Sequence, residues 1–334
     1  MTTAVTTSQP LAFELPAPDI GAWRAGNTGT EGVWHFDSGQ SGRHVMVSAL
    51  VHGNELCGAW ALRGLLDAGV RPRRGSLTLA FCNLAAFDRF DPAAPDASRF
   101  VDEDLNRQWS VERLAEPTTI ERRRAVQLEA FVREADWLLD LHSMHEPGLP
   151  LTLSGMQPQN VALAVQMGTP AHIVVDAGHK DGTRMRDFGR FGSAEGAAAG
   201  ARSLLVECGF HGDLHSRDVA QDQCLRFLLA SGAIDAEDGD AQLPGWRLPD
   251  AVDRWVLEVT GGVVAHDAQV TFASPFEGLE VIAKAGTVIG TNGADGEPIV
   301  TPYDDCVLVM PSLRQARAGV TVVRFARRRP VPGR

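Results

Sequence analysis

Residues 44–55 read HVMVSALVHGNE. The run from His44 to Val51 is valine-rich and almost wholly apolar, and it is too short for an ordinary helix, so it reads as a buried strand. A turn at His52–Asn54 follows, and Glu55 opens ELCGAWALRGLLDA, in which apolar residues recur at helical spacing through Ala68. A strand that turns directly into an amphipathic helix is the building unit of a parallel α/β sheet.

Outward from this stretch the same unit recurs. SLTLAFCNL (76–84), DWLLDLH (136–142), AHIVVDA (171–177) and SLLVECG (203–209) read as strands, with helices expected over Pro117–Glu134, Asn160–Met167 and His215–Ala230. The AAAG run at 197–200 reads as loose helix or loop. The expected fold class is α/β, with a mostly parallel mixed sheet flanked by helices. Between Ser231 and Asp250 the chain turns acidic, Gly-rich and Pro-containing, the composition of a linker. Beyond it, WVLEVTGGVV, QVTF, LEVIA, TVIG, EPIVT, DCVLVM and VTVVRF are short β-rich runs separated by Gly, Pro, Asp and Asn, which predict a smaller all-β C-terminal domain. The expected division is a catalytic α/β domain over 1–240 and a β-rich domain over 241–334, with RRRP at 327–330 a frayed basic tail.

Composition narrows the class of function. A chain of 334 residues with 44% hydrophobic and 22% charged residues has the material for a large core. Its net charge of −11 opposes association with nucleic acid or anionic lipid. No stretch has the length of continuous apolar residues that a membrane span needs, and MTTAVTTSQPLAFELPAPD lacks the basic start and apolar run of a signal peptide, so the expectation is a cytoplasmic protein without a membrane partner. The five cysteines are scattered without a CxxC pair, which argues against both a disulfide framework and a cysteine zinc knuckle.

Four segments carry candidate chemistry. In HGNE (52–55), His52 and Glu55 are three residues apart at a strand end, where a turn can aim an imidazole nitrogen and a carboxylate oxygen at one cation. Read alone, the pair is more simply a loop histidine beside a helix-start glutamate. In DLHSM (140–144), His142 closes another strand and completes the count of three protein ligands that a catalytic zinc site takes. Asp140 shares its strand face and suits the role of orienting that imidazole, or of a backbone cap. In LLVECG (204–209), Glu207 sits in an apolar strand, where a carboxylate is either paired or has a raised pKa suited to proton transfer. In SRFVDEDLNRQW (98–109), Arg99, Asn106 and Arg107 offer two guanidinium forks and an amide, the equipment for holding a substrate carboxylate.

Together and in this order, HGNE, DLNR, DLHS and ECG resemble the succinylglutamate desuccinylase/aspartoacylase family, itself similar to the zinc carboxypeptidases, over roughly residues 44–310. The resemblance implies His52, Glu55 and His142 as ligands of one Zn2+ per chain, Glu207 as general base and acid, and Arg99, Asn106 and Arg107 as the substrate-binding group. It also implies an arginine ten residues before Glu207, a position that Ala197 occupies here, with Arg184, Arg186, Arg190 and Arg202 as candidate substitutes. The tyrosine used by the aspartoacylase branch has only Tyr303 to match it, out of clean alignment. The segment 283–305 resembles a biotinyl/lipoyl-like barrel without the lysine at its hairpin tip, so no carrier role is expected. His145 and His211 flank the expected site; His35, His44, His172, His179, His215 and His266 read as surface or core residues.

The implied activity is a zinc-dependent amidohydrolase that removes the acyl group from an N-acyl amino acid or related small amine. Two other readings stand beside it: a metallocarboxypeptidase acting on a short peptide, and a non-catalytic zinc-binding homologue. The expected partner is a small carboxylate-bearing substrate, and a homo-oligomer is compatible with the sequence.

Overall fold

The computed structural model describes residues 12–314 and 316–331. In chain order its elements are β1 (Val33–Asp37), β2 (His44–Ala49), α1 (Leu56–Asp67), β3 (Ser76–Phe81), α2 (Leu84–Phe87), α3 (Val111–Ala115), α4 (Ile120–Glu134), β4 (Trp137–Met144), β5 (Leu151–Leu153), α5 (Pro158–Met167), β6 (His172–Val175), α6 (Ala194–Ala198), β7 (Arg202–Phe210), α7 (Leu214–Ser231) and α8 (Ala236–Gln242). Then come β8 (Trp255–Val264), β9 (Thr271–Phe272), β10 (Val281–Ile282), β11 (Val288–Asn292), β12 (Glu297–Val300), β13 (Cys306–Val309) and β14 (Thr321–Pro330).

The main sheet runs β1-β3-β2-β4-β7-β5-β6-β8-β14-β13-β10. Its centre, β3-β2-β4-β7, is parallel. Strand β2 explains why helices cover both faces. Val45, Val47 and Ala49 pack with α1, α5 and α7, whereas Met46 points the other way, into a cluster with Leu138 and with Ala125, Leu128 and Val132 of α4. Alternate residues of one strand thus feed two apolar layers, as the period of two requires, and every residue of β4 is buried. Helix ends are fixed locally. Thr119 accepts a hydrogen bond from the Arg122 amide at 3.2 Å at the start of α4, and Gly232 closes α7 in the left-handed region at φ +76°.

Two expectations are corrected. The stretch read as a linker contains α8, because Ile234, Gly239 and Leu243 turn inward while the acidic residues face out, Asp238 meeting Arg73. Trp246 lies so close to Gly64 of α1 that a Cβ there would approach its Cζ2 to 2.6 Å. RRRP is not frayed: Arg327 to Pro330 continue β14 in register with Glu258 to Trp255 of β8. Arg329 pairs with Glu258 at 3.1 Å and Arg328 covers the Trp255 ring at 4.9 Å.

The C-terminal region is β-rich, with an apolar cluster of its own around Phe272, Ile289 and Val322. It is also continuous with the main sheet, since β8 pairs in parallel with β6. Val307, Val309 and Ala326 share a second cluster with Leu151, Leu153 and Leu205. Among the described residues no helix is long and apolar enough to cross a membrane.

Candidate functional site

The site lies where the parallel strands β2, β4 and β7 end, the edge at which open α/β sheets present ligand-handling side chains. The chain leaves β2 through Leu50, fully buried and in the left-handed region at φ +57°, and this kink carries Val51 and His52 over the strand end. Gly53 follows where no side chain fits: a Cβ would come within 2.4 Å of Ala86 C and Ser98 O. Glu55 then takes the N-cap position of α1 without a side-chain capping bond.

Three side chains converge here. His52 Nδ1 lies 2.7 Å from Glu55 Oε1, and His142 Nδ1 lies 2.7 Å from Glu55 Oε2. One ligand atom from each residue falls within 4.8 Å of the others, and all three residues are buried. Each imidazole turns its other nitrogen to a carboxylate: His142 Nε2 to Asp140 at 2.9 Å, and His52 Nε2 to Asp104 at 2.9 Å. With a cation in place of the shared proton, donation from Nε2–H to these carboxylates would leave each Nδ1 lone pair free to ligate, the tautomer of a metal-bound histidine with an outer carboxylate partner. Asp140 is held in turn by the Ser48 hydroxyl, which donates to it at 2.8 Å.

Electrostatics agree with a cation at this point. Burial works to raise the Glu55 pKa, yet the two histidines hold it well below the usual carboxylate range. Burial likewise opposes charge on His142, and Asp140 and Glu55 overcome it and raise its pKa well above the ordinary value. In the metal-free site a proton therefore serves as the positive charge between His142 and Glu55. Two imidazole nitrogens and a carboxylate are a donor set suited to zinc, and binding a cation there displaces that proton.

Glu207 stands beside this cluster, in register with His142 across the β4–β7 pair and with Leu151 of β5 on its other side. Its Oε2 is buried with no hydrogen-bond partner among the described residues. Burial, followed by the negative charge of Glu55, pushes its pKa up to about 8. An orphaned carboxyl with a raised pKa, next to three side chains that could hold a cation, is chemically suited to exchange a proton.

The sequence-predicted substrate group reaches the same cavity, of about 1140 Å³, whose wall includes His52, Glu55, His142, Glu207, Arg99, Asn106 and Arg107. Arg99 leans onto the ligand cluster, with Nη1 3.2 Å from Glu55 Oε1 and Nη2 3.0 Å from His52 Nε2. Arg107 pairs with the exposed Asp181 at 3.2 Å. The Asn106 side-chain oxygen accepts from the Met185 amide at 3.0 Å and so anchors the following loop.

Of the arginines considered in place of Ala197, Arg186 is enclosed by Ser154 and Ser203, Arg190 meets Asp136, and Arg202 binds the carbonyls of Ala197 and Ala201 at the start of β7. Arg184 lines the cavity with its fork closed on Asp176 and its Nε on Asp187. Tyr303 bonds Thr260 at 2.7 Å and does not line the cavity. His145 and His211 bond the hydroxyls of Ser312 and Ser143, each at 2.8 Å, and burial lowers their pKa values to about 4 and about 3.

Sequence reasoning passed over Asp104 and Arg324, and His179, read there as a surface or core residue, lines the cavity as well. Asp104 lies inside the DLNR motif already singled out, but nothing in its spacing separates it from Asp102 or Glu103.

Residues 41–231 match the family model of the Succinylglutamate desuccinylase/Aspartoacylase catalytic domain. The succinylglutamate desuccinylase of Burkholderia cenocepacia is 29% identical over 300 residues, covering 84% of this chain and 81% of that protein. Among solved structures, a succinylglutamate desuccinylase from Vibrio cholerae superposes with a TM-score of 0.64 at 17% identity, covering 89% of this chain and 85% of the other. A succinylglutamate desuccinylase/aspartoacylase from Rhodobacter sphaeroides gives a TM-score of 0.60 at 20% identity, covering 86% of each chain. These two structures share the fold.

Proposed function

This chain belongs to the succinylglutamate desuccinylase/aspartoacylase family, and from that membership we propose that it is a zinc-dependent amidohydrolase that removes the acyl group from a small N-acyl amino acid. The observation that carries the reading is the meeting of His52 and His142 on Glu55 with the partnerless Glu207 alongside. Held by His52, Glu55 and His142, zinc supplies Lewis-acid polarisation of the scissile carbonyl and a lowered pKa for water. Glu207 takes the proton from the attacking water and delivers it to the amine nitrogen as the C–N bond breaks, a two-way transfer for which a raised pKa is suited. Asp140 and Asp104 keep the two imidazoles in the Nδ1-facing tautomer.

Arg99 and Arg107, with Asn106 ordering their surroundings, hold the carboxylate of the amino-acid portion. An acidic protein attracts anions weakly at long range, so recognition rests on local forks of matched geometry. In this assignment residues 1–240 form the catalytic part, and the β-rich part over 241–334 adds Val259, Gly262, Met310, Ser312 and Arg324 to the cavity lining.

Metal analysis of the purified protein, followed by a screen of acetyl, succinyl and aspartyl derivatives of amino acids with release of amine as the signal, tests the reading. The expected result is about one zinc per chain and turnover of at least one substrate that chelation abolishes. Preferential cleavage of a blocked dipeptide would replace the deacylase with a peptidase. Absence of zinc would overturn both.

A further inference from the structure

Arg324 lies in β14, between Val309 of β13 and Gly262 of β8. Gly262 leaves room for its stem: a Cβ there would sit 3.4 Å from Arg324 Cγ and 2.9 Å from the Val323 carbonyl oxygen. The half-buried Arg324 lines the same cavity as Glu207, together with Arg107, His179 and Arg184.

The arginines of this wall differ in one respect. Arg184 is matched by Asp176 at 2.9 Å and Asp187 at 2.6 Å, and Arg107 by Asp181 at 3.2 Å. Arg324 makes no ion pair with a carboxylate among the described residues; its Nη2 rests against His179, 3.2 Å from Nδ1 and 3.4 Å from Nε2. Burial and then the charges of Arg107, Arg324 and Arg184 hold the His179 pKa far below its ordinary value, so the ring is neutral and accepts a hydrogen bond from the fork. For Arg324 itself, burial and the neighbouring Arg184 and Arg107 disfavour the charge more than Asp176 and Glu207 favour it. A half-buried guanidinium left without a carboxylate partner is stabilised when an anion arrives.

We propose that Arg324, oriented by His179, binds a second carboxylate of the substrate, so that the C-terminal β region supplies a specificity determinant on the wall of the cavity that it shares with Arg107 and Arg184. This rests on the hydrolase reading above and narrows it: the substrate carries two carboxylates, of which one meets Arg99 and Arg107 and the other forms a forked pair with Arg324. Arg324 is a binding residue here and His179 a positioning residue.

Two matched pairs of substrates locate the second carboxylate: N-succinylalanine against its terminal carboxamide, and N-acetylglutamate against N-acetylglutamine. The wild type should prefer the acid by tenfold or more in kcat/KM in one pair, the acyl side or the amine side. Arg324→Gln should bring that ratio to about one, and Arg324→Lys should not restore it. His179→Gln should lower the ratio in the same direction, chiefly through KM. A ratio unchanged in Arg324→Gln for both pairs would overturn the proposal.

Binding gives a readout independent of turnover. Glutarate should raise the Tm of the full-length protein more than its monoamide does, and Arg324→Gln should erase the difference. Loss of that difference in a variant whose own Tm matches the wild type supports the subsite even if none of the four amides is cleaved, an outcome that would count against the hydrolase reading alone. Equal protection by glutarate and its monoamide in the wild type would overturn the subsite.

Discussion

His52 Nε2 lies 2.9 Å from Asp104 Oδ1, and through this contact the ring presents Nδ1 to Glu55 at 2.7 Å. Asp104 also accepts the Asn106 amide at 2.8 Å, so the residue that orients His52 also caps the turn bearing Asn106 and Arg107. Asp104→Asn keeps the capping oxygen and removes the charge. We expect its zinc affinity to fall roughly 10- to 100-fold, as for other outer partners of metal-bound histidines, with Asp140→Asn similar. Competition against a chromogenic chelator measures this; unchanged affinity in Asp104→Asn would reduce its role to the cap.

The ligands themselves should behave differently from their partners. His52→Ala or His142→Ala is expected to abolish binding of about one zinc per chain while far-UV dichroism stays native, because the surrounding sheet is built from apolar clusters. Full metal occupancy in both variants would sink the ligand assignment.

For Glu207→Gln, zinc content should be retained while kcat falls roughly 10²-fold or more, the scale of general acid–base catalysis. Near-normal turnover would return Glu207 to a structural role.

The pH dependence of stability in the metal-free protein has two arms. Glu207 is pushed up to about 8 from an ordinary 4.5, so the folded chain binds a proton that the unfolded chain has released; this stability is full below pH 4.5 and is lost as pH rises toward 8. His145 and His211 act in the opposite sense. Their folded values of about 4 and about 3 lie below 6.5, so their contribution is present above pH 6.5 and is lost as pH falls toward 3. Thermal melts of Glu207→Gln should show a flatter decline than the wild type between pH 6.5 and 8. An identical alkaline slope in both proteins would refute the raised pKa.

Arg99→Ala or Arg107→Ala should lower kcat/KM for N-acyl amino acids tenfold or more, and the lysine variants should not recover it, because an ammonium cannot reproduce the guanidinium fork. Arg99 touches Glu55 and His52 directly, whereas Arg107 pairs with Asp181 and reaches His52 only through Asp104 at 3.8 Å, so the Arg99 variant should change metal affinity more than the Arg107 variant. If a carboxamide substrate is cleaved as well as the acid, carboxylate recognition by this pair is wrong.

Much of the catalytic part was legible because its signals are local. The strand read at 44–51 forms over His44–Ala49, and the helix read from Glu55 to Ala68 over Leu56–Asp67, since apolar periodicity is a property of neighbours along the chain. HGNE, DLHS and ECG stand at strand ends for the same reason, and a parallel sheet brings its strand ends to one edge.

The sequence by itself therefore determined the α/β order, the β-rich C-terminal region and which short motifs carry ionisable groups at strand ends. Only the tertiary structure decided which of these groups meet. Asp102, Glu103 and Asp104 are consecutive acids, yet Asp102 accepts the Ile120 amide, Glu103 pairs with Arg122 and Asp104 alone reaches His52. RRRP is compositionally a tail and becomes strand because β8, some seventy residues earlier, offers it a free edge. Arg324 enters the cavity by the same pairing, brought beside His179 of the α/β part. Such partners are chosen by the closure of long loops and the packing of layers, and a spacing rule that looks a few residues either way contains no term for them.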